Sequence, residues 1–366
     1  MNRLSAVNAV SPAMSRVSAM LFKSFRLSTW LKMGFIGLLG GGVVAGGGNF
    51  NFRGPITRVP STPSGGGTRN PIEELGHIFR SIHVADYVHA IMIAMIVGLA
   101  LSLIFLYLFS RFRFILFDSV ITQQPVVGRG WRMYVSQANR FFGFWLVFRL
   151  VQLAVILTII GVPLWNAYKS GALSGDGSMY VLLKMVAAIA LGAILASLVF
   201  AIISTLMKDF IMPIMALDNL TLGDSWSALW RVIVSEPGAW AGYLGMKLLL
   251  AIGASIALLV AGTVAVIPGF FLVGIPAGIL AGIGVLVLKM TSLAAAIPIF
   301  VIAGLVAAAG ICCIYMLLTA PVSVFFAAYA FYFFGGRYPK LGALLWPQPT
   351  PTAPVPQMAG TEAQAG

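Results

Sequence analysis

The sequence predicts an all-α, polytopic transmembrane helix bundle of about eight spans, with two parallel internal repeats and interfacial amphipathic helices. Three observations carry that expectation. Of 366 residues 60% are hydrophobic and 9% are charged, with a mean hydropathy of +0.97. A soluble domain carries about 25% charged residues, so this chain has too few to cover a water-facing surface. Several apolar runs are long enough to cross a bilayer as helices, which takes roughly 20 residues. Finally, one frame is used twice: Gly128, Trp131, Gly143 and Trp145 return as Gly223, Trp226, Gly238 and Trp240, every position offset by 95. Arg113 meets Lys208 on the same offset.

From the N-terminus, residues 1–32 carry five cations and no acid. Met14, Val17, Leu21, Phe22, Phe25 and Trp30 recur there at helical spacing, which predicts an amphipathic helix on the cytoplasmic face, with Trp30 at headgroup level. The first apolar run, 33–48, ends in glycines and is barely long enough to span; a short tilted span and a re-entrant segment are both open. With 32 residues before it and no small-residue cleavage site, it is not a signal peptide. Residues 49–86 are polar and rich in turn residues. Further spans are expected at 87–109, 141–165, 179–205, 238–266, 269–288, 293–318 and 320–335. The transmembrane domain is thus 33–345, with repeat units at about 87–165 and 179–266, and the Pro-rich tail 346–366 is expected to be disordered.

Charge sets the orientation. With eight spans and the N-terminus inside, inner segments hold fifteen Lys/Arg and outer ones five; without a spanning first run the count is ten against ten. The positive-inside rule therefore favours eight spans in the cytoplasmic (inner) membrane, both termini inside. The connectors 110–140 and 206–236 then lie inside as interfacial helices. In each, the Gly before the first Trp reads as a turn and the Gly-x-Trp as entry into the next span. The net charge of +13 is spread between the spans, so it points to anionic lipid headgroups and away from nucleic acid.

Gly274, Gly278 and Gly282 form a doubled GxxxG in the sixth span, a groove for a neighbouring helix in the same chain or in a second copy. A homo-oligomer or a membrane-protein partner is compatible with it. Arg149 and Lys247 follow the two repeat tryptophans inside apolar spans with no acid in any span to neutralise them. With Arg113 and Lys208 they are the candidates for anion or lipid binding; snorkelling to the headgroups is the plainer explanation. His77, His83 and His89, near Glu73, Glu74 and Asp86, are weak metal candidates without a recognised ligand spacing. Cys312 and Cys313 are adjacent in an apolar run and read as core residues. No nucleotide-binding loop, nucleophile elbow or intramembrane carboxylate pair is present, so the sequence offers no catalytic residue and implies no cofactor.

The segments 113–118 (RFILFD), 209–215 (DFIMPIM) and 321–325 (PVSVF), continuing through Tyr329 and Phe333, resemble parts of an uncharacterised group of bacterial and archaeal multi-spanning membrane proteins. That group is similar in style to the membrane domain fused to some glycerophosphodiester phosphodiesterases. The likeness extends over about 20–335. It implies an architecture and no activity, since no phosphodiesterase domain is present. The leading functional expectation is a non-enzymatic membrane protein that organises or handles lipid or membrane partners through a basic cytoplasmic face. The alternatives are a transporter of an anionic or amphipathic solute and, third, an intramembrane enzyme.

Overall fold

In a computed structural model, residues 3–23, 25–41, 84–171 and 179–346 are described. The polar loop with His77 and His83, the 172–178 loop and the tail beyond Trp346 lie outside the described residues. Every regular element among them is a helix. In chain order these are α1 (Val10–Val17), α2 (Leu27–Leu39), α3 (Val84–Thr122), α4 (Val127–Met133), α5 (Val135–Lys169) and α6 (Met179–Leu206). They continue with α7 (Met212–Asp218), α8 (Leu222–Ser235), α9 (Pro237–Gly269), α10 (Ile275–Met290), α11 (Leu293–Gly335) and α12 (Pro339–Leu345). Three π-helical turns (Ser18–Phe22, Met207–Ile211 and Phe270–Gly274) are spliced between them.

Among the described residues five helical rods are long and apolar enough to cross a membrane: Met92–Thr122, Val135–Lys169, Tyr180–Asp218, Pro237–Met290 and Ala295–Gly335. The expected breaks at 267–268 and at 319 are not made. Pro268 stays inside α9, which passes through a π turn into α10, and Pro321 stays inside α11. A proline removes one donor and bends a helix, but without polar turn residues beside it the chain has no better option than to continue. The fifth and sixth expected spans are therefore one rod, and so are the seventh and eighth. Lys289, expected on the inner side, consequently sits at the tip of the α10–α11 hairpin, opposite Arg337 at the end of α11.

These rods exceed a bilayer. The 43 residues of α11 extend for about 64 Å at 1.5 Å per residue, twice the hydrocarbon thickness. Where the rods are most apolar almost nothing is buried. Most burial lies at the other end, where the C-terminal part of α3, α7 and the C-terminal part of α11 meet the N-terminal parts of α5 and α9; only small residues such as Ala167, Gly284, Ala296 and Ala303 are buried away from it. This base is built of rings. Phe210 lies 4.7 Å from Trp240, Phe117 lies 5.2 Å from Phe331, and Tyr243 stacks on Tyr329 at 5.3 Å. Each such pair adds about 0.5–1.5 kcal/mol beyond the area it buries.

The N-terminal segment is docked into this base rather than laid beside it. Leu4 O accepts from Arg337 Nη1 (3.0 Å), and Arg16 Nε donates to Tyr332 Oη (3.1 Å). Trp30 packs on the N-terminal segment itself: its Nε1 donates to Leu21 O (2.9 Å), and its ring meets Phe22 and Phe25, pinning the turn between α1 and α2. Two glycines then let α2 lie directly on α11. A Cβ on Gly34 would fall 2.3 Å from Met316 O, and one on Gly37 2.2 Å from Ser323 Oγ. Small residues permit this backbone approach where lipid supplies no hydrophobic drive between helices. Gly40, just past α2, reaches Phe112 and Arg113. The described half of the first apolar run thus returns to the base from which α1 set out; residues 42–48 lie outside the described residues.

Candidate functional site

The most polar point of the base grows from a backbone irregularity. In the π turn Met207–Ile211 the N–H of Met212 is spent on Met207 O. The next donor in π register, for Lys208 O, would be residue 213. That residue is proline and has no N–H. The orphaned carbonyl is claimed by Arg113, whose Nη2 and Nε donate to it at 3.1 and 3.4 Å. Arg113 Nη1 donates to Gly40 O (3.2 Å), an open carbonyl past the end of α2. Its Nη2 also reaches Asp209 Oδ1 at 3.3 Å.

Asp209 organises the rest. Its Oδ2 accepts from Tyr243 Oη (2.7 Å) and pairs with Lys247 Nζ. Tyr243 and Lys247 are one turn apart on α9, so one helix face presents both. Arg113, Asp209 and Lys247 are all at least nine-tenths buried. A buried ion group of this kind offsets its own desolvation only while complete; removing one partner strands the others. Lys247 is therefore not the unpaired cation the sequence suggested. The acid that neutralises it, Asp209, belongs to the rod Tyr180–Asp218 and not to a connector outside the spans.

A second grouping adjoins the first. Trp145 is 2% exposed and is boxed by Phe109, Phe141, Phe144 and Phe148. Lys208 Nζ and Arg149 Cζ both stand 5.8 Å from its ring centroid. Arg149 is exposed and donates to Gln152 Oε1 (2.8 Å). Neither cation forms an ion pair among the described residues. The structure thus separates Arg149, on the outside of α5, from Lys247, sealed against Asp209.

Around the base three further acids are paired with cations, while the Asp224 carboxylate accepts from Thr221 Oγ1 and forms no ion pair among the described residues. Asp118 takes Nε and Nη2 of Arg129 (3.0 and 2.7 Å), Asp218 pairs with Lys340, and Glu236 pairs with both Arg3 and Arg337. Tyr134 on the edge of this base has its pKa raised, first by burial and then by the charge of Asp118. Burial, and then Arg3, lowers that of Arg337. Arg132, Arg140 and Arg231 are exposed and form no ion pair among the described residues.

The repeat tryptophans are placed in kind. Trp145 and Trp240 are buried in the base, while Trp131 lies under Arg111, with Cζ 5.2 Å from its ring centroid. Trp226 lines an open groove of about 720 Å³ with Ser227, Trp230 and Arg231. The glycines ahead of the first tryptophans are not turns: Gly128 and Gly223 are second residues of α4 and α8. Of the Gly-x-Trp glycines, Gly238 is the second residue of α9, and Gly143 lies within α5. All four have open space where a Cβ would go. The turns are made instead by Gln123 (φ 59°) and Asn219 (φ 52°) in left-handed conformation, with Thr221 Oγ1 capping α8 through Asp224 N (3.3 Å). The doubled GxxxG is likewise not where α10 meets α11. Gly278 and Gly282 have open space and Gly274 faces Phe270 of its own rod. The close approaches are Gly284 to Phe300 and Gly310 to Val273. His89 lies on α3, and Cys312 and Cys313 are free thiols on α11.

Sequence reasoning missed Tyr243 and gave no role to Asp209 or Tyr329, which it noted only within segments that resemble other membrane proteins. One signal was available: Lys208 and Asp209 stand just ahead of Pro213 in an otherwise apolar run, and Tyr243 and Lys247 are four apart. The chain belongs to a family described as a family of unknown function (DUF7544), matched over residues 4–344. No curated protein and no solved structure matches it.

Proposed function

We propose that this member of a family of unknown function is a non-enzymatic, multi-pass protein of the cytoplasmic membrane. Its packed base faces the cytoplasm and organises anionic lipid or membrane partners. The carrying observation is the division of the long rods into an exposed apolar half and a packed base where Asp118, Asp209, Asp218 and Glu236 are spent on internal ion pairs. Arg132, Arg140, Arg149 and Arg231 are left outward on that base as an uncompensated positive surface. Such cations each contribute about 1 kcal/mol of attraction to an anionic leaflet. Arg3 and Arg337 share Glu236, which supports both described chain ends lying on one side. Connector helices beginning at Val127 and Leu222, 95 apart, support a duplicated helix–connector–helix unit. A transporter would need an open path to Lys247, and Lys247 is instead closed in by Asp209 and Tyr243.

The test is the lipid that travels with the protein. Purified from discs of equal phosphatidylglycerol and phosphatidylcholine, the protein should retain the anionic lipid in excess, and the excess should shrink as salt screens it. Equal retention at low salt rejects the proposal. A cysteine placed at Arg231 should react with an impermeant reagent only from the cytoplasmic side; reaction only from the other side rejects the orientation.

A further inference from the structure

Resting on the lipid-organising reading above, we infer that Trp145, Lys208 and Arg149 form a specific site for the phosphate of an anionic phospholipid at the α5–α6 seam. Trp145 is fully enclosed, yet its indole Nε1 is buried with no acceptor among the described residues. Buried donors are almost always paired, so a buried indole N–H without one marks a missing acceptor. Trp240, its partner at offset 95, has its acceptor: Nε1 donates to Val232 O at 3.3 Å. In the first unit the matching carbonyl, that of Gln137, takes no bond from Trp145; the Gln137 side chain donates to Asn219 Oδ1 (3.1 Å), and its Oε1 is itself buried without a donor. The two units thus share a ring in the same place and differ in whether the protein itself completes its bonding.

What gathers around the incomplete ring is positive. Lys208 and Arg149 each lie 5.8 Å from its centroid, hence no more than twice that distance from one another. Asp209, the neighbouring acid, is already committed to Arg113, Lys247 and Tyr243. Two like charges beside one indole repel, and an anion that reaches both relieves that repulsion. A phosphate accepts from an ammonium and a guanidinium together and its charge suits both cations, and the indole N–H becomes a third donor once the headgroup parts the rings that enclose it.

The membrane is the source the surroundings favour. On α5 the neighbours Val147, Leu150, Val151 and Leu153 are exposed and apolar, and on α6 so are Leu198 and Val199. Phe148 meets Phe200 at 5.4 Å, closing the seam between the two helices at that level. An acyl chain lying along this wall would bring its headgroup to Lys208 and Arg149.

The test is native mass spectrometry of the detergent-purified full chain with phosphatidylglycerol or phosphatidylcholine of matched acyl chains. Wild type should bind the anionic lipid preferentially. Lys208→Gln and Arg149→Gln should each weaken it about fivefold, as expected for one cation near a headgroup. Trp145→Phe keeps an aromatic ring and removes the donor; it should weaken binding several-fold while lowering the melting temperature less than Trp240→Phe does. Unchanged binding in the Lys208→Gln/Arg149→Gln double variant overturns the site. If Arg132→Gln and Arg231→Gln abolish the preference while that double variant keeps it, the basic-platform reading stands and this site falls. If wild type has no preference, the platform reading falls first. Displacement of the lipid by an equal concentration of inorganic phosphate would assign the pocket to a soluble anion and overturn the lipid assignment.

Discussion

Along α11, residues before about 318 and residues after it obey different physics. The earlier ones point Ile302, Leu305 and Ile311 outward with little protein beside them; the later ones bury Ala327, Tyr329, Phe331 and Phe333 among rings from three other rods. The helix and its apolar composition are common to both halves, so neither explains the difference. In the outer half lipid is as good a neighbour as protein, and side chains gain little from packing on one another. In the base, ions, orphaned carbonyls and aromatic rings have to satisfy each other, so contacts there are specific and removing one is costly.

That contrast can be broken most severely at Asp209. Asp209→Asn leaves Arg113 and Lys247 buried without their shared counter-charge and should destabilise by about 3–5 kcal/mol, read as a large fall in melting temperature in detergent. Adding Lys247→Met should recover part of the loss, and no recovery would mean that the pair is not coupled.

Next in size is the helix interface at the N-terminal hairpin. Gly34→Ala forces a methyl group against the Met316 carbonyl, for an expected cost of about 1–3 kcal/mol. The same change at Gly278, in the open half, should stay within about 0.5 kcal/mol. Equal effects at the two positions would erase the distinction between the halves. Trp240→Phe deletes the bond to Val232 O and should cost about 1 kcal/mol, whereas Trp145→Phe, whose N–H has no internal acceptor, should cost measurably less in lipid-free detergent. Smallest is Lys340→Ala. Its pair with Asp218 is exposed on the lysine side, and thermal unfolding should register about 0–1 kcal/mol.

Much of this architecture was legible before any tertiary information. Composition makes every rod an apolar helix, and the repeat frame picks out Trp145 and Trp240, both of which the base buries. Arg113 and Lys208, matched only by their offset, meet through the Lys208 carbonyl. The end of the chain around Tyr329 and Phe333, singled out by its resemblance to other membrane proteins, supplies the centre of the ring cluster. The glycines misled, because a glycine in an apolar helix reads alike whether a neighbour approaches, as at Gly34, or nothing does, as at Gly278.

By itself, then, the sequence determined what each stretch is made of: local periodicity and hydropathy depend on residues a few positions apart, and a span can be read from them. Where one rod ends did not follow, because a proline in a hydrophobic run bends or breaks a helix according to what lies alongside. Nor did the pairing of Lys247 with Asp209, 38 residues away. Tertiary structure alone decided that Lys247 is neutralised while Arg149 and Lys208 are left to share one tryptophan. Charge compensation depends on distance in space, and only packing sets that distance.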